Sequence, residues 1–130
     1  MKYLFAALFV ICSTVSFSQT KAVETKKIKT PQALCEACKT RIEAYLNRYD
    51  GILSVNVNYR KGETTVKYLT DRVNIETIKT AISNVGYDAD DVLANEQAYN
   101  RLPKTCKKPE DGGAHPKPKT PAQPTQPANQ

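Results

Sequence analysis

Beyond its first eighteen residues, this 130-residue chain has no stretch long and apolar enough to cross a bilayer, which takes ~20 apolar residues. Even the run from Tyr3 to Ile11 falls well short of that length, so stable membrane insertion of the remaining chain is not expected. There is no Ser/His/Asp set, no pair of carboxylates suited to acid–base work and no phosphate-binding loop, and the chain is not expected to be an enzyme. No internal repeat is visible, which excludes a solenoid or blade array. A single histidine, His115, stands in Gly-Gly-Ala-His-Pro, a flexible context in which one imidazole is expected to be a bystander. A basic stripe with interleaved aromatics is also missing. Lys and Arg total 19 against 13 Asp and Glu, but residues 19–100 hold 12 basic and 11 acidic side chains while 101–130 hold 6 and 2. The excess lies in a tail with no aromatic residue after Leu102, so nucleic-acid binding is not expected.

What the chain does have at its start is Lys2, the apolar run Tyr3–Ile11 and small residues at Ser16 and Ser18. This is the pattern of a secretory leader, expected to be cleaved before Gln19, and it predicts a periplasmic or secreted protein. Cys12 falls inside the leader, preceded by Ile11 where a lipoprotein signal would carry a small residue. Three cysteines remain, Cys35, Cys38 and Cys106, in a compartment that is expected to be oxidising. An odd number argues against a simple disulfide framework.

Periodicity then orders the middle of the chain. Val23 to Ile28 is β-compatible and stops at Thr30-Pro31. Cys38, Ile42, Tyr45, Leu46 and Tyr49 recur at helical spacing until Asp50-Gly51. Leu53, Val55, Val57 and Tyr59 alternate with polar residues, Lys61-Gly62 turns the chain, and Thr64, Val66 and Tyr68 alternate again, which predicts a hairpin. Asn74 caps a second helix with Ile75, Ile78, Ile82 and Val85 on one side and Gly86 as its stop, and Tyr87–Val92 is expected to form a last short strand. The order βαββαβ is a split-βαβ, ferredoxin-like α+β plan: an antiparallel sheet with two helices on one face. A minor helix is expected from Asn95 to Leu102, and residues 107–130, rich in Pro and Lys, are expected to be disordered. The predicted organisation is thus a leader at 1–18, one domain with a short extension at 19–106, and a tail at 107–130.

The chemistry-bearing motif is Cys35-Glu36-Ala37-Cys38 at the entry to the first helix, where unpaired N–H groups and the helix dipole favour thiolate. Two intervening residues let both sulfurs face a common centre, and soft thiolates select Cu(I), Hg(II), Zn(II) or Cd(II) over hard ions. Two protein sulfurs suit a near-linear or trigonal ion such as Cu(I) better than a closed tetrahedral zinc site, and a site built for transfer is expected to stay open. Cys106 is a further candidate. A final strand of five residues would travel ~17 Å from the metal end, and eight helical residues at ~1.5 Å each plus a short link span a similar distance back. A third sulfur ligand or resolving thiol and an uninvolved tail cysteine are both open on this reasoning. The neighbouring Asp88, Asp90 and Asp91 lack the glycine turn and distal glutamate of a calcium loop and are expected to be a solvated edge.

Taken together, Ala33-Leu34-Cys35-Glu36-Ala37-Cys38, the Gly51–Val57 strand and Gly86-Tyr87 resemble the heavy-metal-associated domain family, over about residues 23–92. The resemblance implies a βαββαβ metal carrier of the copper-chaperone or periplasmic mercury-scavenger kind, with Cys35 and Cys38 as ligands, Cys35 the more exposed, and Tyr87 packed beside the metal. It also implies a metal-transporting or metal-accepting protein as partner. Ala33 departs from the methionine common two residues before the first cysteine, and Leu34 from the acidic residue of zinc-selective members. The competing reading is an exported thiol-disulfide oxidoreductase using the same CxxC. Against it, no aromatic precedes Cys35, no proline lies between the cysteines, and a β-hairpin follows where a thioredoxin-like chain would continue differently.

Overall fold

The computed structural model describes residues 22–116. The predicted leader, with Cys12, and the tail beyond Pro116 lie outside the described residues. Strand β1 (Val23–Lys29) is followed by helix α1 (Glu36–Leu46), strands β2 (Ile52–Asn58) and β3 (Glu63–Leu69), helix α2 (Ile75–Val85) and the short helix α3 (Glu96–Asn100). Two 3₁₀ turns, Lys104–Cys106 and Pro109–Asp111, complete it. The three strands form an antiparallel sheet in the order β1-β3-β2. Ile28, Val57, Thr64, Val66 and Tyr68 pack inward from the sheet against Cys38, Ile42 and Leu46 of α1 and Ile78, Ala81 and Ile82 of α2, all buried. The helices therefore cover one face, as a split-βαβ plan requires.

Local chemistry sets the element ends. Asn74 accepts from the Thr77 N–H at 2.8 Å and starts α2. Gly86, at φ 103°, ends it in a left-handed conformation that costs a glycine nothing. Asn95 caps α3 in the same way through the Ala98 N–H, as its position in the sequence predicts.

Three expectations are corrected. Leu53 does not join the buried face of β2 but is 50% exposed, because the register slips between Ile52 and Ser54. The extra residue at this bulge leaves Ile52 to pack on the core. The fourth strand is reduced to a turn: Ala89 and Val92 exchange hydrogen bonds of 2.8 and 2.9 Å with each other, around Asp90 at φ 53°. Asp90 reaches the free edge of β1 by one bond in each direction, its N–H to the Lys29 carbonyl (2.9 Å) and its carboxylate from the Lys29 N–H (2.8 Å). Aspartate tolerates the left-handed conformation and forms local turns, so this sequence closes on itself before it can extend a ladder. The ferredoxin-like layer arrangement survives with that strand as a stub.

The third correction concerns the tail, whose first ten residues are folded onto the domain rather than disordered. Tyr99 of α3 accepts from the Lys108 N–H (2.8 Å) and donates to Asp111, Lys108 pairs with Asp88 at 3.3 Å, and Ala114 N–H returns to the Lys104 carbonyl at 3.1 Å. Composition alone misses this because the anchors are single polar groups and not apolar surface.

Candidate metal centre

Thr30-Pro31-Gln32-Ala33 carries the chain from β1 toward α1 through the Ala33 N–H to Thr30 carbonyl bond (2.9 Å). Cys35 then takes the N-cap position in an extended conformation, φ −142°, and its sulfur accepts from the Cys38 N–H at 3.4 Å. Cys38 lies one turn along, on the buried side of α1 with Ile42 and Leu46. Both sulfurs thus sit where the helix presents donors and the positive end of its dipole.

The third cysteine joins them. Pro103 ends the link from α3, the Cys106 N–H bonds its carbonyl at 2.8 Å, and this turn lays Thr105 and Cys106 over the helix start. Cys38 Sγ lies 2.6 Å from Cys35 Sγ and 2.7 Å from Cys106 Sγ, and Cys35 and Cys106 are 3.8 Å apart. The Thr105 carbonyl accepts from Cys35 Sγ at 3.4 Å. All three are free thiols and all three are buried, Cys35 at 3% exposure and the others at zero. Here the structure departs from the expectation of an open site with Cys35 at the surface: the C-terminal extension covers it.

So close a triad cannot carry three charges, and the protons divide unequally. Cys106 is held down to about 5, chiefly because Cys38 donates its thiol proton to it; burial works against this, and Tyr87 and Cys35 add to it. Cys38 is correspondingly pushed far above the ordinary thiol range by Cys106 first and by burial second. Tyr87, fully buried, is raised far above the ordinary phenol range, by burial first and then by the neighbouring Cys106 and Cys38. Its hydroxyl makes no hydrogen bond among the described residues. A buried hydroxyl without a partner is costly, about 1–3 kcal/mol, and suits a site whose charge is completed by a ligand.

His115, set aside on sequence grounds, also lies here. One of its ring nitrogens lies within 4.8 Å of Cys35 and Cys38 Sγ, and both nitrogens are buried without a partner. The sequence did carry one usable signal, the glycines at 112 and 113 that bend the chain back after the second 3₁₀ turn. Asp88, Asp90 and Asp91 do not form a cation site: they cap the Ala94 N–H, bond β1 and pair with Lys79, respectively. Three soft sulfurs, an uncommitted imidazole and an unpaired phenol are a fitting donor set for a soft metal ion and have no counterpart in hard-ion sites.

Comparison with known proteins agrees. The sequence profile of the heavy-metal-associated domain matches residues 27–88. A copper-exporting P-type ATPase of Staphylococcus epidermidis is 31% identical over 86 residues, 66% of this chain and 11% of the ATPase. The chain thus spans about a tenth of the length of the curated relatives it matches. The N-terminal domain of a potential copper-translocating P-type ATPase from Bacillus subtilis, solved in its Cu(I)-loaded state, is 28% identical with a TM-score of 0.50, over 52% of this chain and 85% of that one. Oxidised MerP from Ralstonia metallidurans CH34, at 19% identity and a TM-score of 0.51 over 53% of this chain and 96% of that one, shares the fold. The thiol pair at the start of α1, the Gly86-Tyr87 step after α2 and the profile match between them establish that the chain belongs to the heavy-metal-associated domain family.

Proposed function

We propose that this protein is an exported carrier that binds one soft d¹⁰ ion, Cu(I), between Cys35 and Cys38 with Cys106 as a third thiolate, and passes it to a metal-transporting or metal-accepting protein. The observation that carries this reading is the convergence of three buried, free thiols on one centre at a helix N-terminus. Soft sulfur donors select Cu(I), Hg(II), Zn(II) or Cd(II), and the copper named for the relatives supports the first of these. Export is supported by Lys2 and the apolar run Tyr3–Ile11. No helix among the described residues is long and apolar enough to cross a membrane.

Binding displaces the thiol protons that the triad shares, so uptake releases protons. The α1 N-terminus offsets the resulting negative charge, and Tyr87 and the Thr105–Cys106 turn keep water from the sulfurs. Transfer is ligand exchange without redox change. A partner thiolate forms a bond to the ion as one bond from Cys35 breaks, and repetition moves the ion across. Because Cys35 is covered, the extension must move before a partner can reach it. In an oxidising compartment a Cys35–Cys38 disulfide would block uptake until it is reduced.

The test is anaerobic competition of the reduced protein against Cu(I), Hg(II) and Zn(II) chelators, beside an insulin-reduction assay. One Cu(I) per chain, lost in Cys35→Ser/Cys38→Ser, is expected. Catalysed insulin reduction with no stoichiometric metal uptake would instead select the oxidoreductase.

A further inference from the structure

The extension from Leu102 to His115 has features that a covering segment alone does not need. It is held at several points: Leu102 is buried in the core, Cys106 joins the sulfurs, Lys108 bonds Tyr99 and Asp88, and Gly113 and Ala114 N–H groups return to the Lys108 and Lys104 carbonyls at 3.0 and 3.1 Å. The return is so tight that a β-carbon at residue 113 would lie 1.9 Å from the Lys107 carbonyl oxygen and 2.7 Å from that of Lys108. Only glycine fits. The consequence of this loop is the position of His115, whose two ring nitrogens are buried and unpartnered and one of which lies within 4.8 Å of the Cys35 and Cys38 sulfurs. An imidazole withdrawn from water with neither nitrogen satisfied costs free energy that the loop alone does not recover.

We propose that His115 is a metal ligand together with Cys35 and Cys38, and that residues 102–115, which also carry Cys106, are a closing arm. This rests on the reading that Cys35 and Cys38 bind a soft ion. An imidazole added to the paired thiolates raises the ligand count and leaves fewer open positions for exchange. The arm carries both Cys106 and His115 on a single segment anchored on α3. Lifting that segment at Tyr99 reduces the site to the Cys35–Cys38 pair, a two-sulfur arrangement from which exchange proceeds. Retention and release are therefore two positions of one segment, with the ligand count as the difference between them.

The experiment uses the full reduced chain, labelled with ¹⁵N and loaded with ¹¹³Cd(II) as a d¹⁰ probe that reports its own ligands by scalar coupling. Coupling of cadmium to the cysteine β-protons and to one imidazole nitrogen of His115 is expected. Cysteine coupling without imidazole coupling would overturn the proposal and leave the carrier reading intact, and absence of cysteine coupling would overturn both. Two variants test the arm separately, His115→Ala, which removes the donor, and Gly113→Ala, which keeps every donor residue in the chain but forces the loop that positions His115 to shift. Each is expected to release Cd(II) to a chelator about tenfold faster or more, the scale on which outer groups of metal sites act. Release unchanged in both variants would contradict a closing arm.

Discussion

Gly86 joins the fold to the site, and replacing it tests both. Its φ of 103° is left-handed, its N–H ends α2 on the Ile82 and Ser83 carbonyls, and a β-carbon there would stand 3.0 Å from the Ala98 carbonyl carbon and the Tyr99 nitrogen of α3. Gly86→Ala therefore meets two independent costs. The left-handed conformation of a residue with a β-carbon costs about 1–2 kcal/mol. The backbone of α3 cannot rotate away as a side chain can, so relieving the contact means shifting the helix, an overpacking cost of about 1–3 kcal/mol. The expected loss is about 2–5 kcal/mol, a large share of the roughly 5–15 kcal/mol of a typical domain. Urea unfolding of the reduced, metal-free protein measures it. Gly86→Asn separates the costs, since asparagine tolerates the left-handed region but brings the same β-carbon, and it should lose about 1 kcal/mol less than alanine. Because α3 carries Tyr99, which holds Lys108, both variants should also loosen the extension and speed metal release. An alanine variant within about 0.5 kcal/mol of wild type, inside the range of a neutral surface change, would refute the reasoning.

Tyr68 is buried and pushed up to about 12, by burial first and then by Glu24, which accepts its hydroxyl at 2.7 Å. Its raised folded value means full stability below the ordinary tyrosine pKa near 10 and a progressive loss as pH climbs from about 10 to 12, reaching about 2.7 kcal/mol. The difference between wild type and Tyr68→Phe in urea unfolding should shrink across that window, and a flat difference would contradict it. Asn74→Ala removes the cap on the Thr77 N–H and should cost about 1 kcal/mol in the same assay, with metal affinity unchanged because α2 supplies no donor.

The sequence was most legible where one period ran unbroken. Ile75, Ile78, Ile82 and Val85 with Asn74 and Gly86 at their ends specify α2 almost residue for residue, since the cap, the apolar side and the stop all agree. Alternation locates β2 but puts Leu53 on the buried face, because a bulge adds one residue without changing the pattern of residue types. Tyr87–Val92 reads as a last short strand, and there the turn preference of Asp90 outweighs the ladder. At the site, the Cys35–Cys38 pair is legible from spacing and helix position, whereas chain-length arithmetic only allows Cys106 near the metal end and leaves an uninvolved tail cysteine equally open. His115 was not legible. Its placement depends on a glycine that must approach a carbonyl closely and on a tyrosine nine residues before Lys108, neither of which has a period.

The central claim, that three sulfurs from two distant segments meet on one soft ion, is tested most directly by X-ray absorption at the copper edge on the reduced full chain loaded with one Cu(I). A sulfur count of three is expected, falling to two in Cys106→Ser. A count of two in the wild-type chain, unchanged by Cys106→Ser, would contradict it.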